Sequence, residues 1–86
     1  TAYDYPMACF ADQAGVDMIL VGDSGGMTTL GHKTTTSVTM PEMGMMVTSV
    51  CRAVRHAFIV GDMPFLSYQV SNEDAVRNAG YFLQLG

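Results

Sequence analysis

The chain has 86 residues and a mass of 9.2 kDa. Its formal net charge is −4, and its four Lys and Arg do not cluster, which argues against a nucleic-acid partner. No apolar run approaches the roughly 18 residues of a membrane span, and no signal-peptide pattern opens the chain, so no membrane role is expected.

At 49% hydrophobic and 14% charged residues the sequence is apolar for its size. A domain this small buries only about 60–65% of its unfolded surface. The expectation is therefore a piece of a larger domain whose other parts cover the apolar faces. Cys9 and Cys51 fall on separate predicted helices without Cys-x-x-Cys or zinc-type spacing, and read as reduced packing residues of a cytoplasmic protein.

In chain order, Tyr3 is expected to close a first strand. Asp4 caps a helix from Tyr5, with Pro6 in its first turn. Met7, Phe10, Ala11 and Ala14 recur at i, i+3, i+4 and i+7 as one apolar face, and Gly15 ends the helix. Met18-Ile19-Leu20-Val21 is an apolar run without alternation, which suits a short strand covered on both faces in a parallel sheet. The run stops at Gly22-Asp23-Ser24. Thr28 to Val38 reads as a long loop.

Thr39-Met40-Pro41-Glu42 fits a capping box. The stripe Met43, Met46, Val47, Val50, Val54 carries a helix to about His56, with Arg52 and Arg55 near its carboxyl end as a solvated face suited to the helix dipole. Its methionines are core filling. Ala57 to Asp62 then repeats the earlier pattern, apolar residues ending in Val-Gly-Asp. Met63-Pro64-Phe65 breaks the chain, and Ser71 caps a third helix through Ala75, Ala79, Phe82 and Leu83, with Glu73 and Asp74 in its first turn. This run of β/α units is compatible with part of a (β/α)₈ barrel or with half of a doubly wound sheet.

In parallel α/β folds, ligands bind where loops leave the carboxyl ends of the strands. If the two Val-Gly-Asp strands are neighbours, their axes lie about 4.8 Å apart, and Asp23 and Asp62 meet at one edge. Two such charges repel. Either one stays protonated or a hard divalent cation lies between them. The alternative is that both acids are helix caps or solvated turn residues.

Gly22-Asp23-Ser24-Gly25-Gly26 also satisfies Gly-x-Ser-x-Gly and spells the sequence around a trypsin-type serine. The trypsin arrangement needs an upstream His, and none precedes Asp23. A hydrolase elbow needs a helix directly after the serine, whereas Gly25 onward is rich in Gly and Thr. His32 reads as a loop residue and His56 as a helix-terminal cation, without metal spacing. Gly25-Gly26 lacks the later glycine of a dinucleotide fingerprint.

Thr1-Ala2-Tyr3-Asp4-Tyr5, Val16 to Ser24 followed by Gly26-Met27, Gly31-His32, Val38-Thr39, and Asp62-Met63-Pro64-Phe65 with Ser67-Tyr68 together resemble ketopantoate hydroxymethyltransferase, the 3-methyl-2-oxobutanoate hydroxymethyltransferase family of pantothenate biosynthesis. The resemblance runs through all 86 residues but covers only about the first third of a barrel of about 250 residues. It implies the first three β/α units of one incomplete (β/α)₈ TIM-barrel domain. It also implies a magnesium-dependent transferase that moves a one-carbon unit from 5,10-methylenetetrahydrofolate to 3-methyl-2-oxobutanoate, giving 2-dehydropantoate, in a homo-oligomer. By position Asp23 and Asp62 are metal ligands, and Asp23, Ser24 and Asp62 bind substrate. The lysine, the third acidic ligand and the general base are expected after Gly86, which leaves this stretch inactive by itself.

Two departures stand out: Gly25 where the family has Leu, and Thr36-Ser37 where it has Leu-Pro. Gly25 is expected to loosen the loop carrying Ser24, and loss of Pro to free the approach to the second helix. A non-catalytic remnant of the family and a related oxo-acid lyase of the isocitrate lyase and phosphoenolpyruvate mutase type are the alternatives.

Overall fold

The computed structural model describes residues 1–86. The elements are α1 (Tyr5–Gln13), β1 (Met18–Val21), α2 (Gly25–Thr28), a 3-10 turn (Thr35–Ser37), α3 (Met40–Ala53), β2 (Phe58–Gly61) and α4 (Asn72–Leu85). The fold is α/β, with β1 and β2 paired in parallel as Met18–Phe58, Ile19–Ile59, Leu20–Val60 and Val21–Gly61. The expected strand at Tyr3 does not form. Residues 1–3 approach the sheet through one bond, Ala2 N–H to Leu20 O at 3.1 Å, which is too little for a ladder. Two strands, not three, are therefore present.

The helix starts follow local chemistry. Asp4 accepts the Met7 N–H at 2.9 Å, and Ser71 accepts the Asp74 N–H at 3.1 Å. Thr39 and Glu42 complete the capping box on both sides. Gly15, with φ of 81°, ends α1 in the left-handed region that favours glycine.

One core joins Ile19 and Val21 of β1 to Met43, Met46, Val47, Val50 and Ala53 of α3 and Ala8 of α1. The stripe read for α3 is the buried one. Three other expectations are corrected by the packing. The inward side of α1 is Ala8 and Asp12, while Met7 and Phe10 are 54% and 64% exposed. A small Ala8 lets α1 approach α3 closely, and Asp12, one turn on, reaches the chain just past α3. In β1 only Ile19 and Val21 are covered, and Met18 and Leu20 lie on a face that no element of this chain covers. On α4, Phe82 and Leu85 pack against the core, and Leu83 points outward at 84% exposure.

Helix α3 stops at Ala53 rather than His56, because Val54 is already extended. Both oxygens of the buried Asp12 then hold the departing chain: Oδ2 accepts from Arg55 N–H at 2.9 Å, and Oδ1 from His56 N–H at 3.1 Å and Ala57 N–H at 2.8 Å. His56 is accordingly part of the lead-in to β2, not a helix terminus. Asp12 is tied there by three donors, which hold its carboxyl below the usual carboxylate range. Cys9 and Cys51 are free, half-buried and on separate helices, as expected, and burial raises the Cys51 thiol.

Candidate functional site at the carboxyl end of the sheet

Strands β1 and β2 end at the same edge, which brings Asp23, Ser24 and Asp62 together there. The pairing is staggered by one residue relative to the sequence repeat. Val21 lies opposite Gly61, so the ladder continues with Asp62 N–H donating to Val21 O at 3.0 Å. Asp62 thus stands across from Gly22 rather than beside Asp23. Its carboxylate closes the gap: Oδ2 accepts the Asp23 backbone N–H at 3.1 Å, taking the place a strand carbonyl would have.

Gly22 is buried and its missing side chain defines the floor of the site. A Cβ there would lie 3.2 Å from Ser24 Oγ and 3.6 Å from Asp62 Oδ2, with Leu20 Cδ2 at 3.9 Å. Two oxygens therefore converge over a position where only hydrogen fits freely. Asp23, Ser24 and Asp62 are all half-buried. The donors are hard oxygens, the type that suits magnesium rather than a soft metal. No third His, Cys, Asp or Glu joins the two acids.

Helix α2 begins directly after Ser24, contrary to the Gly- and Thr-rich loop expected there. A short helix thus does follow the serine, but Ser24 has an unstrained backbone with φ of −58° rather than that of a hydrolase elbow, and no base approaches it. Ser24 Oγ meets the Tyr3 hydroxyl at 2.8 Å, and the His32 ring is engaged elsewhere, with Nε2 at 2.8 Å from Glu42 Oε1. Tyr3 is the site neighbour that residue-level reasoning missed.

Gly25 does not loosen the turn. It is buried, and a Cβ on it would lie 2.6 Å from Tyr3 Cδ1 and 2.7 Å from Met46 Sδ. The Leu that the resemblance leads one to expect here has no room in this packing. Thr36 and Ser37, in place of Leu-Pro, form the 3-10 turn closed by Val38 N–H to Thr35 O at 3.1 Å, and Val38 is buried. The approach to α3 is therefore fixed without proline. The remainder of the expected loop is fastened by His32 N–H to Gly26 O at 2.9 Å and by the His32–Glu42 contact. The Glu42 carboxyl is held below its usual range by the Thr39 N–H first and by His32 second.

No helix is long and apolar enough to cross a membrane.

The model of the ketopantoate hydroxymethyltransferase family matches residues 1–86. The 3-methyl-2-oxobutanoate hydroxymethyltransferase of Staphylothermus marinus is 62% identical over 86 residues, covering 100% of this chain and 32% of its own length. That of Ignicoccus hospitalis is 59% identical over 86 residues, covering 100% and 33%, and that of Syntrophobacter fumaroxidans 57% over 84 residues, covering 98% and 30%. The chain thus spans about a third of the length of the curated relatives it matches. On these matches through its whole length, the chain belongs to the ketopantoate hydroxymethyltransferase family.

Proposed function

We propose that this chain supplies the amino-terminal β/α units of a TIM-barrel enzyme. That enzyme transfers a hydroxymethyl group from 5,10-methylenetetrahydrofolate to 3-methyl-2-oxobutanoate in pantothenate biosynthesis. The observation that carries the reading is the convergence of Ser24 Oγ and Asp62 Oδ2 over Gly22, beside Asp23, at the carboxyl edge of the sheet. Asp23 and Asp62 would hold magnesium, and Ser24 would hold the oxo acid. Bound there, the cation supplies Lewis-acid polarisation of the oxo acid's carboxylate and keto oxygens, which acidifies the neighbouring carbon.

The chain's own residues do the positioning. The two carboxylates give the edge negative charge that the cation offsets, and the Ser24 hydroxyl is a donor for the substrate carboxylate. Gly22, lacking a side chain, lets Ser24 Oγ and Asp62 Oδ2 approach each other at this edge. Proton abstraction is assigned to no residue among 1–86, so this stretch by itself is inactive in this account. The packing around Gly25 favours an intact site over a decayed remnant: the departure is matched by Tyr3 and Met46 rather than left as a gap.

The test is turnover of the full-length protein with Asp23→Ala. Loss of magnesium-dependent hydroxymethyl transfer is expected, and full activity would contradict the assignment.

A further inference from the structure

Tyr3 is set in place by residues on both sides. Ala2, 2% exposed, is anchored by its N–H on Leu20 O, and Asp4 caps α1. The Tyr3 ring lies against the core, and Gly25 is close enough to it that a Cβ could not be added. Met46 Sδ would meet the same Cβ at 2.7 Å, so the space beside the ring at this glycine is already filled. Its hydroxyl ends 2.8 Å from Ser24 Oγ, and that contact joins two residues 21 positions apart.

Two hydroxyls at this distance share one proton between them, and the direction of donation decides what Ser24 can do. If Ser24 donated to Tyr3, its single proton would be used, and it would meet an anionic ligand with lone pairs only. If Tyr3 donates, the Ser24 proton is free for an acceptor. The edge occupied by Asp23 and Asp62 is already rich in acceptors, and the oxo acid brings a further carboxylate, so a free donor is what the site lacks.

We propose that Tyr3 is a positioning residue: its phenolic O–H donates to Ser24 Oγ and thereby turns the Ser24 proton toward the carboxylate of the bound oxo acid. The relay Tyr3 O–H to Ser24 O–H to carboxylate polarises in one direction, which strengthens the outer bond. Gly25 and Met46 hold the ring in register for it. This inference rests on the oxo-acid reading of Ser24 given above.

The full-length protein is titrated with 3-methyl-2-oxobutanoate in magnesium buffer by calorimetry, unsubstituted and as Tyr3→Phe, Ser24→Ala and the double variant. Phe retains the ring that packs beside Gly25. In Tyr3→Phe the oxo-acid Kd rises about three- to tenfold, the scale of one hydrogen bond. The loss falls on KM rather than kcat, and magnesium affinity without oxo acid is unchanged, which a merely structural defect would not spare. The double variant binds no more weakly than Ser24→Ala, because Tyr3 acts through Ser24. An oxo-acid Kd in Tyr3→Phe within twofold of the unsubstituted protein, or losses that multiply in the double variant, overturns the proposal. Absence of any magnesium-dependent oxo-acid binding in the unsubstituted protein is a different result, and it overturns the transferase reading together with this one.

Discussion

Asp62 Oδ2 accepts the backbone N–H of Asp23 at 3.1 Å, so the carboxylate of one candidate ligand caps the strand end that presents the other. The bond continues the β1–β2 ladder by side chain after the backbone pairing has ended at Asp62 N–H to Val21 O. Structure and charge are thus separable at this position.

Asp62→Asn uses that separation. Asparagine retains a carbonyl oxygen to accept the Asp23 N–H but removes the charge. We expect its unfolding temperature to stay close to that of the unsubstituted protein while magnesium affinity, read by calorimetry, falls more than about tenfold. A large stability loss with magnesium affinity intact would mean that Asp62 is a structural cap alone.

Gly25→Leu puts a large side chain in a place without room for it. The first added carbon lies 2.6 Å from the Tyr3 ring and 2.7 Å from Met46 Sδ. Overpacking of this kind costs about 1–3 kcal/mol, measurable as a lower midpoint in urea. Met46→Ala in the same chain should recover part of that loss by opening one wall. No recovery would show that the Tyr3 side alone sets the limit.

Acid stability should follow Asp12 and Glu42. Both carboxyls titrate lower in the fold than in the unfolded chain, through the Ala57 N–H first at Asp12 and the Thr39 N–H first at Glu42. Below the unfolded values of about 3.9 and 4.3 the unfolded state therefore binds more protons. Their contribution is complete above those values and is lost as pH falls through the lower, folded ones. Asp12→Asn cannot serve three backbone donors with one carbonyl oxygen, so it should melt several degrees lower at neutral pH and show a shallower decline below about pH 4. Thermal melts across that range check both parts, and an unchanged acid limb would remove Asp12 from the account.

These residues also mark where the sequence was readable. Capping at Asp4, Thr39 and Ser71 involves partners within three positions, so it is legible locally. The two strands are legible because a short apolar run ends at Gly-Asp. Their stagger is not, since aligning the Val-Gly-Asp repeats puts Asp62 beside Asp23, whereas backbone pairing puts it opposite Gly22. Asp12 escapes because its partners lie 43 to 45 residues away and are backbone N–H groups that any residue carries. Met7 and Phe10 mislead for the opposite reason: their spacing is that of a buried face, but the close approach of α1 to α3 selects the side bearing Ala8. Tyr3 carries the pattern of a strand end, and its hydroxyl contact with Ser24 Oγ is set only by tertiary structure.

Residues 1–86 expressed alone should be aggregated or only partly folded. Met18, Leu20 and Phe58 are 59%, 38% and 67% exposed on the sheet, and the two strands leave open edges. Ordering the backbone costs about 1–2 kcal/mol per residue, and a core this partial has little surplus to offset it. Urea unfolding followed by circular dichroism should show no cooperative transition. A sharp one, with tight magnesium binding that depends on oxo acid, would establish this stretch as a domain in its own right.

The most direct measurement is a crystal structure of the full-length protein with manganese in place of magnesium and 3-methyl-2-oxobutanoate bound, read by anomalous scattering. Manganese takes the same carboxylate oxygens and scatters strongly enough to be located. One peak is expected at the carboxyl edge of β1 and β2, within coordination distance of both Asp23 and Asp62, with the oxo-acid carboxylate on Ser24. A fully occupied metal that touches neither aspartate, at a site away from Gly22, would contradict this assignment.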